Sequence, residues 1–416
     1  MSRKIEDKEP AKKAAPNYGE DRGESLGLME PLLIAESSRA RSTLADLALE
    51  LTAASTGLRR SLPEGVVRAL ADLVRSMNCY YSNLIEGHDT HPIDIERALA
   101  NDYSADPQKR NLQLEAKAHI AVQAWIDAGG LDGRSTTSEG LREVHRRFCD
   151  LLPDELLWVE NPDTGERLRI EPGVVRARDV KVGRHVAISP GAIPRFLTRF
   201  EDAYARLGKV DALTAAATAH HRLLWIHPFL DGNGRVARLM SYAMMRETLD
   251  TGGVWSIARG LARNEAAYKA HLAACDLPRR NDLDGRGTLS EEALAEFAKF
   301  FLNICIDQVR FMEELTEPNR LRDRVLVWAE EEIRGERLPP KSGAVLEAVL
   351  FRGELPRADV EGLLATSERS ARRVTSALLE RGVLTSASPR APLRLAFPAT
   401  LASRWMPGLF PEKRDG

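Results

Sequence analysis

The sequence has no apolar run long enough to cross a bilayer, so we expect no membrane-spanning helix. Lysines near the amino terminus are not followed by an apolar stretch, which argues against a secretion signal. The four cysteines lie far apart and form no CxxC pair, so they indicate reduced core residues of a cytoplasmic protein, not disulfides or zinc ligands. A net charge of −2 indicates no overall attraction to nucleic acid or membrane.

The residues that are present describe a globular, helical protein. Hydrophobic residues make up 43% and charged residues 29% of the 416, and this length predicts two or three domains. Apolar side chains recur at steps of three and four over residues 40–58 and 63–85, which predicts two helices. Similar patterns cover most of the chain, so we expect a mainly α fold.

Residues 227–238, His-Pro-Phe-Leu-Asp-Gly-Asn-Gly-Arg-Val-Ala-Arg, lie between two apolar helical runs, 213–226 and 236–249. A proline disfavours the α conformation of the residue before it, so the first helix should end at His227. Gly232 and Gly234 allow the backbone to approach a ligand, and the N–H groups that begin the second helix form an anion site. Alone, such a turn would be an ordinary corner between two helices.

The charged residues of this stretch favour phosphate chemistry over an ordinary corner. Arg235 and Arg238 are three residues apart on one helix face and can grip a phosphate chain. Asp231 fits beside an anion if Mg²⁺ bridges the two. His227 is suited to take a proton from an attacking hydroxyl.

The ordered stretch resembles the signature of the Fic family, His-Pro-Phe-x-Asp/Glu-Gly-Asn-Gly-Arg-x-x-Arg, and meets every fixed position. The resemblance implies a protein adenylyltransferase that transfers AMP from ATP to a Ser, Thr or Tyr hydroxyl of a protein. His227 would be the general base and Asp231 the Mg²⁺ ligand. The family places a tyrosine against the adenosine, and Tyr268 is the candidate; the alternative is a packed core tyrosine. The resemblance assigns the phosphates to Gly232, Asn233, Gly234, Arg235 and Arg238.

Ser82, Glu86 and Gly87 end the helix predicted over residues 63–85. Ser82 and Glu86 are one turn apart, and Gly87 suits a helix C-cap. By itself this is a helix end with an exposed glutamate. Upstream of the signature, Ser-x-x-x-Glu-Gly resembles the family's inhibitory helix, whose glutamate pairs with the second signature arginine, here Arg238. That arginine would otherwise hold the γ-phosphate of ATP, so the resemblance implies autoinhibition.

Turn residues and short β-prone pieces over residues 158–190 predict one β-hairpin. It is either a surface hairpin or, as the resemblance implies, the flap on which the target protein docks near residues 174–188 by strand addition. Its tip is predicted near residues 178–183.

Pro339-Pro340 opens a tail in which three short helices precede two β-prone pieces, the order of a winged helix. A chain that ends near Arg334 is expected to fold without this tail. Such a module either binds DNA or mediates protein contacts, for instance in a homodimer. The predicted third helix contains arginines suited to DNA phosphates but glutamates lie close by. These arginines are Arg369, Arg372, Arg373 and Arg381.

We therefore expect a Fic helical core with a small flap, an N-terminal helical lobe and a C-terminal winged helix. Two other functions stay open: a de-AMPylase in which Glu86 and an Asp231-bound metal act on water, and a nucleotide-sensing DNA-binding transcription regulator. The predicted segments are a disordered or loosely attached arm (1–25), the N-terminal lobe with the inhibitory motif (26–110), the core (111–315), a helical linker (316–338) and the winged-helix-like tail (339–416).

Overall fold

The computed structural model describes residues 19–160 and 165–411, and these residues form sixteen α-helices and three small antiparallel sheets. The predicted mainly α fold is confirmed. No helix of this described part is both long and apolar enough to span a membrane. The first 18 residues of the predicted disordered arm lie outside the described residues.

Three helices lie in the segment predicted as the N-terminal lobe, and two of them match the periodic segments of the sequence closely. Helix α2 begins after Pro63, has Glu64 in its first turn where a carboxylate favours the helix dipole, and ends before Glu86. The lobe helices are α1 (Arg41–Ser61), α2 (Glu64–Ile85) and α3 (Pro92–Leu99).

The central helices surround a pair that is buried on nearly all sides, as expected for helices at the middle of a core. This pair is α7 (Lys209–Ile226) and α8 (Asn233–Thr248), which flank the signature turn. The helices around it are α4 (Pro107–Asp127), α5 (Ser138–Cys149), α6 (Ile193–Tyr204), α9 (Ala258–Arg263), α10 (Glu265–Cys275) and α11 (Glu291–Thr316).

The described residues between α5 and α6 form two hairpins, where the sequence predicted a single one. Strand β1 (Trp158–Glu160) pairs with β2 (Arg167–Arg169), and β3 (Lys181–Val182) pairs with β4 (His185–Val186). The first hairpin was missed because its short strands are rich in charged side chains and give no apolar alternation. The second hairpin turns at Gly183 and Arg184, at the end of the predicted tip.

The N-terminal arm is a second correction, because residues 19–25 are not detached. The Arg22 guanidinium donates to both carboxylate oxygens of Asp179, at 2.8 and 3.1 Å. The Glu24 carboxylate accepts from the backbone N–H and the hydroxyl of Ser189. The arm is therefore tied to both sides of the β3–β4 hairpin.

The C-terminal segment contains the predicted order of three helices and a hairpin, while its assignment as a winged helix stays a prediction. Of the four arginines singled out in this segment, Arg372 pairs with Glu368 and Arg381 pairs with Glu332, so acids offset two of them. Arg369 and Arg373 lie on the third of the three predicted helices. The elements are α12 (Pro318–Arg334), α13 (Ser342–Arg352), α14 (Asp359–Leu364), α15 (Glu368–Glu380), β5 (Leu384–Thr385), β6 (Arg394–Leu395) and α16 (Ala402–Trp405).

This segment is packed against α2, which argues against its independence from the core. The Tyr81 hydroxyl donates to the Leu409 carbonyl at 3.0 Å, and the rings of Tyr80 and Phe410 meet edge to face. Near the other end of α2, Gly65 lies against the carbonyl of Gly353. A chain that ends near Arg334 would expose this face of α2, so the expectation that it folds unaided is not supported.

Alanine substitution at two helical glycines tests this docking. Gly57 in α1 has open space around its α-carbon, so Gly57→Ala should stabilise the protein by roughly 0.5–1 kcal/mol. Gly65→Ala should instead destabilise it by about 1–3 kcal/mol, because the added methyl meets the Gly353 backbone. Urea unfolding measures both, and equal stabilisation by the two substitutions would contradict the docked arrangement.

Candidate active site

His227 forms the corner between α7 and α8. Its backbone is left-handed, with φ 50° and ψ 61°, and its N–H donates to the Leu223 carbonyl at 3.0 Å. The helix ends where Pro228 predicts, but His227 does not take the extended conformation usual before proline. A left-handed histidine is uncommon and places its ring at the mouth of the turn.

The His227 ring is arranged as a neutral base. Its Nδ1 lies 3.3 Å from the Leu224 carbonyl, which only accepts hydrogen bonds, so Nδ1 carries the proton. Burial lowers the pKa of His227 to about 4. The Nε2 lone pair is therefore available to accept a proton at neutral pH.

The turn after His227 is closed by Asn233. Its side-chain amide accepts from the Phe229 N–H and donates to the Phe229 carbonyl, both at 2.9 Å. The side chain therefore shapes the loop, and the assignment of Asn233 to the phosphates stays a prediction. Gly232 takes φ 78°, and Val236 donates the first helical hydrogen bond to Gly232. The N–H groups of residues 233–235 precede that bond at the positive end of α8.

Asp231 is exposed beside this helix end. Within the described residues, no group of three or more His, Cys, Asp and Glu side chains could hold a metal ion. The site thus lacks a protein cage for a metal. A single carboxylate fits Mg²⁺ that arrives with nucleotide phosphates, because this ion keeps most of its ligands as water and phosphate oxygen.

Arg238 is buried and occupied by the segment that ends α2. Its Nη2 donates to Glu86 Oε1 at 2.5 Å, and its Nε donates to the Ser82 hydroxyl at 2.8 Å. Burial alone would raise the pKa of Glu86, but the attraction of Arg238 outweighs it and the pKa is lowered. Gly234 faces this carboxylate and leaves the room that it needs.

Arg235 points to a different carboxylate. It pairs with Glu115 of α4, and the side chains of both residues are less than a tenth exposed. Glu115 also contacts His88, whose Nδ1 lies 2.8 Å from Glu115 Oε2. The two signature arginines are therefore each paired with an acid, Arg238 with Glu86 and Arg235 with Glu115.

Tyr268 lies in the core. Its ring is 2% exposed, and its hydroxyl lies 2.7 Å from His220 Nε2. Stacking of this ring on an adenine would require its removal from that contact. The geometry favours the packed-core alternative over an adenosine contact.

Arg176 and His145 support the corner but were missed in the sequence. The buried Arg176 guanidinium donates to the carbonyls of His227, Arg178 and Ile188 at 2.7–2.8 Å. His145 accepts from the Gly173 N–H, stacks on Phe229 and bonds to the Asp231 backbone. Neither belongs to a motif, and a buried arginine that binds only carbonyls gives no charge pattern to detect.

The signature turn lies in a part of the chain that is similar to a known protein family. Residues 135–245 match the Fic/DOC family, and this range contains the whole signature. The chain carries a Fic domain. The segment Ser82–Gly87 lies outside the matched range.

Similar proteins include two adenylyltransferases. The protein adenylyltransferase Fic of Drosophila willistoni is 28% identical over 196 residues, which cover 46% of this chain and 34% of that protein. The protein of the same name from Nematostella vectensis is 26% identical over 204 residues, covering 48% and 42%. The match thus spans less than half the length of these relatives.

A solved structure shows the same fold over most of the chain. The crystal structure of a Fic family protein from Desulfovibrio desulfuricans has a TM-score of 0.52 and 18% identity, and the match covers 88% of this chain and 98% of that one. This similarity extends well beyond the signature region.

Replacement of Arg176 tests its support of the corner. Arg176→Met would leave several buried carbonyls without a donor, so we expect the free energy of unfolding to fall by about 3 kcal/mol or more. Arg206 is exposed after α6 and serves as the matched control; Arg206→Met should change stability by less than about 0.5 kcal/mol. Equal urea midpoints for the two variants would show that Arg176 does not support the corner.

Proposed function

We propose that this Fic domain transfers AMP from ATP to a hydroxyl group of a protein and that Glu86 holds it in an inhibited state. One observation carries the proposal. The neutral imidazole of His227, the start of α8 and the Arg238 guanidinium border a single turn, and Glu86 occupies Arg238. The adenylyltransferases to which the chain is similar support the same reaction.

The ATP phosphates would lie at the start of α8. The N–H groups of residues 233–235 and the helix dipole favour an anion there. Arg238, once released from Glu86, adds a charge-assisted contact to the far end of the phosphate chain. Bound Mg²⁺, held by Asp231 together with phosphate oxygens, would offset negative charge as it develops.

In the transfer step, His227 moves one proton. Its Nε2 removes the proton of the target hydroxyl while the hydroxyl oxygen forms a bond to the α-phosphorus. The bond from that phosphorus to the oxygen bridging the α- and β-phosphates breaks, and pyrophosphate leaves with the electron pair. The positive end of α8 and the arginines stabilise the charge of this step.

The β3–β4 hairpin is suited to hold the target segment. Val182 and Val186 are 50% and 63% exposed, although both are apolar. His185 fixes the hairpin above the corner through a contact of 2.7 Å between its Nε2 and the Trp225 carbonyl. An extended segment that pairs with this hairpin would bring its hydroxyl toward His227 through main-chain contacts.

Glu86 inhibits by competition for Arg238. A carboxylate and a γ-phosphate cannot both occupy the same guanidinium edge. The Arg238 side chain is 3% exposed whereas that of Glu86 is 34% exposed, so Glu86 is the partner that can move.

Removal of the Glu86 carboxylate should activate the protein. With labelled ATP, Glu86→Gly and Glu86→Gln should each raise the incorporation of label into the protein itself by roughly tenfold to a hundredfold. The reason is that a charge-assisted contact of about 1.5–3 kcal/mol no longer competes with ATP. Glu380 also ends a helix, on the exposed side of α15, so Glu380→Gly is the matched control and should change nothing.

The same variants discriminate the hydrolase alternative. Label incorporation and label release are measured on one preparation. Unchanged incorporation together with lost release would overturn inhibition by Glu86 and favour a de-AMPylase in which Glu86 orients water.

Removal of the base is tested in the activated Glu86→Gly background. His227→Ala should lower label transfer by about 10²- to 10⁴-fold, the usual effect of losing a general base. ATP affinity, measured by calorimetry, should stay within a few-fold, since the phosphate contacts come from α8. His271→Ala on α10 is the control, and equal transfer by the two histidine variants would remove His227 from the mechanism.

A further inference from the structure

The inhibitory carboxylate is positioned by the chain that follows it. Glu86 is the cap of α2, Gly87 takes φ 85°, and the N–H groups of Gly87 and His88 donate to the carbonyls of Leu84 and Asn83. This closure is a Schellman motif, and it folds the chain back. We propose that His88 is a positioning residue that, through Glu115, holds Glu86 against Arg238. The proposal rests on the proposed function and adds a regulation to it.

The contact of His88 has a fixed side and a movable side. Glu115 and Arg235 are almost fully buried, and Glu115 uses Oε1 for Arg235 and Oε2 for His88. The His88 side chain is 42% exposed. The contact can therefore break at the surface while the Glu115–Arg235 pair stays in place.

Release of His88 would loosen Glu86. Only Gly87, a residue with wide backbone freedom, separates Glu86 from His88. With His88 held, Glu86 can leave Arg238 only by turning its side chain. With His88 free, the cap itself can open, so ATP gains Arg238 more easily.

The charge on His88 controls the strength of this contact. Nδ1 of His88 lies 2.8 Å from Glu115 Oε2 and 3.3 Å from Arg235 Nη2. Because a carboxylate only accepts, the shorter contact requires a proton on Nδ1, which then accepts nothing from Arg235. A doubly protonated ring makes the stronger, charge-assisted bond to Glu115. The charged groups facing His88 are Glu115 from α4, Arg235 from α8 and Glu86 of its own segment. The hydrogen bond to Glu115 raises the pKa of His88 above its ordinary value of 6.5, although burial and Arg235 oppose this.

The sign of the pH effect follows from that direction. Because the pKa is higher when the segment is docked than when it is released, protonation favours docking. This contribution is complete below the ordinary value of 6.5 and is lost as the pH rises through the raised value. Inhibition should therefore weaken toward alkaline pH.

The experiment compares wild type with Glu86→Gly from about pH 6 to about pH 9, a range that extends upward from just below the ordinary pKa of histidine. The ratio of the Glu86→Gly rate to the wild-type rate cancels pH effects common to both proteins. The pKa of His227, about 4, lies below this range. We expect the ratio to fall by about threefold to tenfold as the pH rises, the difference between a charge-assisted and a neutral hydrogen bond.

Substitutions at His88 separate charge from shape. His88→Lys keeps a positive donor throughout this range. The ratio of the rates with and without Glu86→Gly in this variant should therefore stay at the high value that wild type shows at acidic pH. His88→Gln keeps a neutral donor, so its ratio should be low and independent of pH. His271→Gln is the control and should follow wild type.

Either a wild-type ratio that is flat with pH, or a His88→Gln ratio that keeps the wild-type slope, would overturn the proposal. If Glu86→Gly shows no transfer at any pH, the proposed function fails, and calorimetry with ATP and Mg²⁺ then tests His88 independently. Wild-type affinity should increase with pH and that of His88→Lys should not. Identical pH dependence of ATP affinity in these two proteins would also overturn the proposal.

Discussion

The left-handed backbone at His227 is the constraint on which the site depends. A non-glycine residue in this conformation costs on the order of 1–3 kcal/mol and persists only if its surroundings hold it. Arg176 binds the His227 carbonyl, and Asn233 closes the next turn through Phe229. These contacts keep the imidazole and the start of α8 in one arrangement before any ligand binds, as electrostatic preorganisation requires.

The site thus combines a rigid half and a movable half. The rigid half consists of buried groups whose hydrogen bonds run to backbone, such as Arg176 and Asn233. The movable half is the end of α2, where Glu86 and His88 are both partly exposed. The proposed regulation by a competing carboxylate needs this division, because Arg238 must keep its position while its partner changes.

Much of the fold followed from apolar periodicity, and the ends of α2 and α7 followed from proline and glycine. The Glu86–Arg238 pair joins residues 152 positions apart, and only the resemblance to a known family indicated it. The roles of Arg235 and Tyr268 were less predictable, because their partners, Glu115 and His220, come from distant helices. Asn233 shows the same limit, since a side chain in a motif can bind its own loop as well as a ligand.

The packing of the tail against α2 was not predicted, since Pro339-Pro340 marks a break in the pattern but does not show where the segment beyond it packs.

The docking of the tail on α2 has a consequence for synthesis of the protein. Tyr81 and Leu409 are 328 residues apart, so their contact cannot form until Leu409 has been translated. At about 5–20 residues per second, roughly 15–65 s separate the emergence of the two residues. During this interval the face of α2 that includes Tyr80 and Tyr81 lacks its final cover, although the complete signature emerges well before Leu409 does. The nascent chain therefore contains every residue of the site before the helix that ends in Glu86 is fully packed.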